Sequence, residues 1–128
     1  MKPVEEIILA GSELEMMNAV WDAEDALHRP VYTAEINYFG SEYVKQIKTT
    51  TMLTFLARLQ YKGFVEFERD WRKKYYSSLV KRSEYQRRAY REFTEKTFLG
   101  DLVAVARVLV ADMSEDELAT AHDLLRHV

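Results

Sequence analysis

Residues 49–78 read TTTMLTFLARLQYKGFVEFERDWRKKYYSS, and the order of patterns within this stretch decides the fold. Apolar side chains in its first half recur three or four positions apart, the spacing of an amphipathic helix. These side chains are Met52, Phe55, Leu56 and Leu59. The threonines at 49–51 can cap the start of the helix, and Gly63 stands where a glycine commonly ends one. The first half therefore predicts one short helix.

The second half of the stretch has the pattern of two strands. Residues 64–68 alternate between apolar and charged side chains, as in a strand with one buried face. Residues 74–78 are a second β-prone run, separated from the first by residues 69–73, four of which are charged. A β-hairpin is therefore expected directly after the helix.

Two more helices are predicted before this stretch. Ser12 and Glu15 have the spacing of a capping box, and the apolar residues after them predict a helix from about 13 to 27. Pro30 prevents its continuation, and Thr33 can cap a second helix. The inward side chains of that second helix are expected to be Ile36, Phe39 and Tyr43.

Three helices are predicted after the hairpin. Ser83 with Gln86 is a second capping box, Asp101 can cap an apolar helix, and Ser114 with Glu117 opens the last helix. The predicted fold is therefore mainly α with one small β-hairpin.

Composition limits the class of protein. Hydrophobic residues make up 48% and charged residues 30% of the 128-residue chain, which suits a globular protein with one main core. The chain has no cysteine, which excludes disulfides and thiolate metal sites and favours the reducing cytoplasm. No apolar run approaches the roughly 18 uncharged residues that span a bilayer. Glu5 and Glu6 stand where a signal peptide would be basic. We therefore expect a cytoplasmic protein.

The charges are unevenly distributed along the chain. Lys and Arg number 2 against 9 Asp and Glu in residues 1–44, 13 against 4 in residues 45–91, and 3 against 8 in residues 92–128. The three segments carry −7, +9 and −5, although the whole chain carries only −3. A strongly basic central segment is typical of a surface that faces phosphate.

Three short helices followed by a hairpin is the order of a winged helix-turn-helix, whose third helix enters the major groove while the hairpin, or wing, contacts the backbone beside it. Double-stranded DNA is therefore the expected partner. The candidate DNA contacts on the third helix are Lys48, Thr49, Thr50, Thr51, Thr54, Arg58 and Lys62. Those on the wing are Arg69, Arg72, Lys73 and Lys74.

A plainer interpretation stays open. Thr49 can merely cap the helix while the other threonines and the basic hairpin face solvent. The chain would then be a winged-helix protein-interaction module without specific DNA binding. The adjacency of the two candidate sets favours DNA.

Catalysis and metal binding have little support in the sequence. His122 and His127 are five residues apart, which does not match the four-residue spacing of a helical ligand pair, and no third ligand for them is evident. His28 follows Glu24 and Asp25 without completing a ligand set. No nucleophile–base set or glycine-rich phosphate loop is present. We expect neither an enzyme nor a cofactor.

Residues 12–21, SELEMMNAVW, resemble the first helix of the penicillinase-repressor family (BlaI/MecI type) in the order of their Glu-Leu-Glu, Met and Trp. Further matches to that family follow in the same order along the chain. They are Thr51, Thr54, Leu56, Arg58, Leu59, Lys62 and Gly63, then Arg72 and Tyr76, Tyr85 and Phe93, Gly100 and Leu102, and residues 114–118. The resemblance covers nearly the whole chain.

The resemblance implies a winged-helix repressor that binds operator DNA as a homodimer. It implies a DNA-binding domain at 1–80 and a helical dimerisation domain at 81–128, whose helices interleave with those of a second copy. The implied dimerisation residues are Tyr85, Phe93, Leu102, Val105, Leu109, Leu118, Leu124 and Leu125. The alternative is that these helices cap the winged domain of their own chain.

The chain departs from the family at several positions. Antibiotic-responsive members are cleaved at an Asn-Phe bond, which Val108 and Leu109 replace here, so an upstream sensor or protease is unknown. The cysteine motif of copper-responsive relatives is absent. Leu53 occupies a commonly polar position of the recognition helix, so the operator sequence does not transfer. Trp71 occupies the wing turn, where it can pack on the hairpin or lie along DNA.

Overall fold

The computed structural model describes residues 2–128 and divides the chain into two compact units, the first ending at Arg88 and the second comprising 89–128. The first unit opens with a 3-10 turn at Val4–Glu6, followed by α1 (Gly11–Leu27), α2 (Thr33–Phe39), α3 (Glu42–Gln46) and α4 (Thr49–Tyr61). Next come the wing strands β1 (Val65–Asp70) and β2 (Lys73–Ser78), then α5 (Arg82–Phe98), which crosses the division. The second unit continues with α6 (Leu102–Asp112) and α7 (Glu115–Arg126).

The predicted fold class is confirmed: the chain is mainly helical with one antiparallel two-stranded hairpin. The predicted division at 80/81 stays a prediction. Within residues 2–128, no helix is long and apolar enough to cross a membrane.

The second predicted helix is two short helices, because the chain breaks at Gly40. A Cβ at Gly40 would lie 2.4 Å from Cγ1 of Val44, so a side chain does not fit there. Ile36 is buried as predicted, but Tyr43 is exposed and Val44 takes the inward position. A continuous helix would place Tyr43 inward, whereas the break at Gly40 rotates its side chain outward.

The capping predictions are correct in the second unit. The Asp101 carboxylate accepts a hydrogen bond from the Ala104 N–H at 3.1 Å. The Ser114 hydroxyl accepts from the Glu117 N–H at 3.2 Å, and the Glu117 carboxylate accepts from the Ser114 N–H at 2.9 Å. Hydrogen bonds from the backbone N–H and then the hydroxyl of Ser114 lower the pKa of Glu117.

The N-terminal capping predictions in the first unit are wrong, whereas the glycine predicted to end α4 is correct, because Gly63 follows the cap residue Lys62 with a φ of +85°. Ser12 and Ser83 lie inside α1 and α5, Thr33 follows the cap residue Tyr32, and Lys48 precedes the threonines at the start of α4. Other contacts set these starts instead, and at α2 the Tyr32 N–H donates to the Glu35 carboxylate at 3.2 Å. Before α1, for example, the buried Leu9 fixes the chain so that the Ala10 carbonyl accepts the first helical hydrogen bond, from the Leu14 N–H.

The core of the first unit lies between α1, α4 and the hairpin. Its fully buried side chains include Met16, Met17, Val20, Ile36, Leu56, Leu59 and Phe64. The Trp21 indole N–H donates to the Val80 carbonyl at 2.9 Å. Tyr85 packs at 5.9 Å from the ring of Trp21 and 5.8 Å from that of Phe64, between ring centroids. The first turns of α5 are therefore part of this core.

Tyr85 was among the predicted dimerisation residues, but its side chain is buried within the first unit. Only 3% of it is exposed, and its hydroxyl accepts from the buried Leu9 N–H at 2.8 Å. Arg88, also in α5, donates to the carbonyls of Val4 and Ile7 at 2.6 and 3.0 Å. Both side chains bind the N-terminal segment to α5, so they stabilise the first unit.

We predict that Tyr85→Phe lowers the free energy of unfolding by about 1–3 kcal/mol, because it leaves the buried Leu9 N–H without its acceptor. Urea unfolding at one fixed protein concentration measures this. The control is Tyr90→Phe on the same helix, where the ring is 46% exposed, with an expected change within about 0.5 kcal/mol. Equal stability of the two variants would contradict the assignment.

Candidate nucleic-acid interface

The recognition helix predicted from the sequence is α4, which with α3 forms a helix-turn-helix joined by Ile47 and Lys48. Its apolar side is buried through Met52, Leu56 and Leu59. The opposite side meets solvent. The predicted contacts exposed there are Thr49, Thr50, Thr51, Thr54 and Arg58. Burial of one side of α4 thus presents the other as a polar surface.

The N-terminal turn of α4 is arranged to receive an anion. Lys48 precedes the helix, and the first turn of α4 has no acidic residue. The Lys48 side chain does not cap the first N–H groups of the helix. These N–H groups carry the positive end of the helix dipole. The Thr54 hydroxyl donates to the Thr50 carbonyl at 3.1 Å, which leaves the Thr54 oxygen as an outward acceptor.

The wing is tighter than predicted. Asp70 pairs with Lys73, so Trp71 and Arg72 alone form the turn that was expected to span 69–73. Each strand therefore extends to the basic tip, because backbone pairing continues through Arg69 and Lys74.

The base of the wing is held by contacts that the sequence did not suggest. The Val31 N–H donates to the Tyr76 carbonyl at 2.9 Å, and the Tyr76 N–H donates to the Val31 carbonyl at 2.7 Å. The Ser78 N–H donates to the Glu24 carboxylate at 2.9 Å. Burial raises the pKa of Tyr76. These contacts fix β2 against α1 and the segment that follows it.

The two faces of the wing differ in charge. Because side chains alternate along a strand, Arg69 and its partner Lys74 lie on the same face as the buried Val65 and Tyr76. The carboxylates of β1 lie on the other face, and they belong to Glu66, Glu68 and Asp70. Lys73, the partner of Asp70, also lies on that other face, whereas Arg69 and Lys74 lie on the face that packs against the core of the first unit.

A groove of about 230 Å³ brings the wing and α4 together. It is lined by Tyr32, Thr33, Leu53, Arg69, Arg72, Lys73 and Lys74. The four predicted wing cations therefore lie beside a residue of α4. Sequence reasoning missed Tyr32 and Thr33, which reach the groove only through tertiary packing.

Aromatic rings orient several of these cations. The Lys73 ammonium lies 4.2 Å from the centroid of the Tyr32 ring, and the Lys74 ammonium lies 4.5 Å from that of Phe67. On α4, the Arg58 guanidinium lies 5.5 Å from the centroid of the Phe55 ring. Ring contacts leave the charges available to an outside anion.

Lys62 does not join this cluster. Its ammonium forms an ion pair with the buried Glu13 carboxylate of α1 at 2.5 Å. It also follows the C-terminal end of α4, about 20 Å along a helix of this length from the first turn. Its contact with α1 gives Lys62 a structural role.

Two sequence comparisons match nearly the whole chain. The penicillinase repressor family profile matches residues 9–127. Methicillin resistance regulatory protein MecI of Staphylococcus aureus is 26% identical over 120 residues, which are 91% of this chain and 92% of the relative. The MecI protein of Staphylococcus epidermidis has the same identity and coverage.

Among solved structures, the PcaV transcriptional regulator from Streptomyces coelicolor in complex with its natural ligand covers 93% of this chain and 73% of its own, with 18% identity and a TM-score of 0.45. That degree of likeness supports no conclusion about this chain. The family match, by contrast, spans nearly every element described above. The chain therefore belongs to the penicillinase repressor family of DNA-binding transcriptional repressors, and not to a family of enzymes.

Proposed function

We propose that this repressor acts as a homodimer in which each copy places α4 in the major groove of one half of a roughly palindromic operator. The observation that carries the proposal is the shared groove of wing and α4, where four cations of the wing lie beside Leu53, an exposed residue of the helix. A helix alone or a basic turn alone would be an ordinary solvated surface. Their adjacency matches the shape and charge of duplex DNA.

The proposed contacts divide into two kinds. Thr50, Thr51 and Thr54 face outward on the first half of α4, where hydroxyl and methyl groups can meet base edges. Phosphates would be bound by the first-turn N–H groups and by exposed cations. These cations are Lys48, Arg58, Arg69, Arg72, Lys73 and Lys74. Lys62 is left out because of its ion pair with Glu13.

The support for a homodimer is the unburied apolar surface of the second unit. Within the described residues of α6 and α7, none is buried. Leu102, Leu109, Leu124 and Leu125 are between 51% and 73% exposed, and Phe93 of α5 is 57% exposed. So many exposed large apolar side chains indicate a surface that another chain covers. A symmetric pair of copies covers it without leaving either copy exposed.

Dimer symmetry determines the form of the operator. Two copies related by a two-fold axis present two identical α4 helices, so the DNA sequence they read is a pseudo-palindrome. We propose half-sites about one or two helical turns apart, because adjacent major grooves on one side of the duplex repeat every ~34–36 Å.

We predict that Leu125→Glu separates the dimer into monomers. Loss of leucine burial costs about 1.5–3 kcal/mol per copy, before the cost of placing a carboxylate in the interface. Sedimentation equilibrium measures the association. The control is Arg126→Glu, which adds negative charge at the next position of α7 outside its apolar stripe. A monomeric unsubstituted protein would refute the homodimer and support helices that cap their own chain.

We predict that Arg72→Ala with Lys73→Ala weakens binding to every duplex. The slope of log affinity against log salt should fall by about 3.6, since the dimer loses two contacts from each copy and each phosphate contact contributes about 0.9. Titrations of duplex DNA at several salt concentrations measure it. The control removes two exposed cations far along the chain, Lys96→Ala with Arg126→Ala, and should leave the slope unchanged. If the unsubstituted protein has no salt-dependent affinity for duplex DNA, the protein-interaction module is the better interpretation.

We predict that Thr51→Ala changes which operator is preferred. Selection from a random-sequence duplex library should enrich a palindrome with the unsubstituted protein, and the variant should lose about 1–3 kcal/mol of discrimination at one base pair in each half. The control is Gln60→Ala, exposed near the opposite end of α4, which should select the unsubstituted sequence. Identical selections by all three proteins would place base reading elsewhere.

A further inference from the structure

Trp71 stands at the tip of the wing with its ring uncovered. It is 88% exposed, and its φ of +62° lies in a region that bulky side chains rarely adopt. The exposure rules out packing on the hairpin, one of the two roles that the sequence left open. A large apolar ring held in solvent on a strained backbone does not serve folding. The Trp71 ring is therefore expected to contact another molecule.

The charges around Trp71 indicate a polyanion as that contact. Arg72 follows it in the turn, Asp70 pairs with Lys73 at the base of the turn, and Arg69 pairs with Lys74 one step further along, on the cationic face of the wing. These four cations line the groove that also contains Leu53 of α4. A ring at the end of a basic ribbon and next to the recognition helix is placed to touch DNA when α4 does.

We propose that Trp71 enters the minor groove beside each half-site and makes the repressor sensitive to the sequence there. This inference rests on the proposed function, because it needs α4 in the major groove. The groove next to the major groove is the minor groove, which at ~6 Å is too narrow for a β-ribbon. A flat indole enters it edge-on and packs against the sugar walls.

The chemistry of the groove floor decides which sequence Trp71 prefers. A G·C pair places the guanine 2-amino group in the minor groove, whereas an A·T pair places only acceptors there. The amino group obstructs a ring that enters edge-on. Trp71 therefore favours A·T pairs at the flank, a form of selection through shape.

The test uses Trp71→Asn, because asparagine adopts positive φ more readily than tryptophan. The variant is expected to unfold at the same or a higher temperature, so a loss of affinity would not reflect misfolding. Trp21 remains in both proteins and is buried. The difference between their fluorescence spectra therefore reports Trp71 alone.

Three duplexes carry the palindrome enriched by selection and differ only at the flanks, which hold A·T, G·C or inosine·C pairs. Inosine lacks the 2-amino group but keeps the major-groove edge of guanine. We expect the unsubstituted protein to bind the A·T and inosine·C duplexes about tenfold more tightly than the G·C duplex. We also expect Trp71→Asn to lose this difference, and Trp71 emission to be quenched on binding the A·T duplex.

Two results would overturn the inference and leave the proposed function intact. The first is equal affinity of the unsubstituted protein for all three duplexes. The second is saturating binding of the A·T duplex with Trp71 emission unchanged. If the unsubstituted protein enriches no duplex in the selection, the result contradicts the proposed function itself.

Discussion

The burial of Met52, Leu56 and Leu59 is the constraint on which the interface depends. Three side chains on one side of α4 fix its rotation about its own axis, so the side bearing the threonines faces outward. The ion pair between Lys62 and Glu13 adds a polar contact at the far end of α4. A helix held in this way has one orientation to offer to a ligand, which is what reading a base sequence demands.

The wing depends on a second constraint, its attachment at the base. The exchange of backbone hydrogen bonds between Val31 and Tyr76 adds a short third strand position to the hairpin. A two-stranded hairpin alone is marginally stable in water, so this addition and the buried Tyr76 ring support the projecting tip. The tip can then carry unfavourable features, among them like charges facing each other at Arg69 and Lys74.

Local patterns in the sequence predicted the order of elements and the exposed side of α4, because helical spacing and strand alternation are set by which side is buried. They failed where contacts distant in sequence decide the outcome. Tyr85 has the spacing of a helix stripe, but its partners Trp21 and Phe64 lie far from it in the sequence. Its hydroxyl also accepts a hydrogen bond from Leu9, near the start of the unit's sequence. Tyr32 lines the basic groove for a similar reason, because the neighbouring Val31 pairs with Tyr76 of β2.

Gly40 shows how a position outside the proposed DNA contacts can still affect repression. Its missing side chain leaves the space that Val44 fills, and Val44 anchors α3, the helix that leads into α4. Any larger residue at 40 would push Val44 out of the core and shift the helix-turn-helix as a unit. A screen for mutants that escape repression would therefore yield alleles in this turn as well as on the proposed DNA-facing surface, although a footprint would show no contact at the turn.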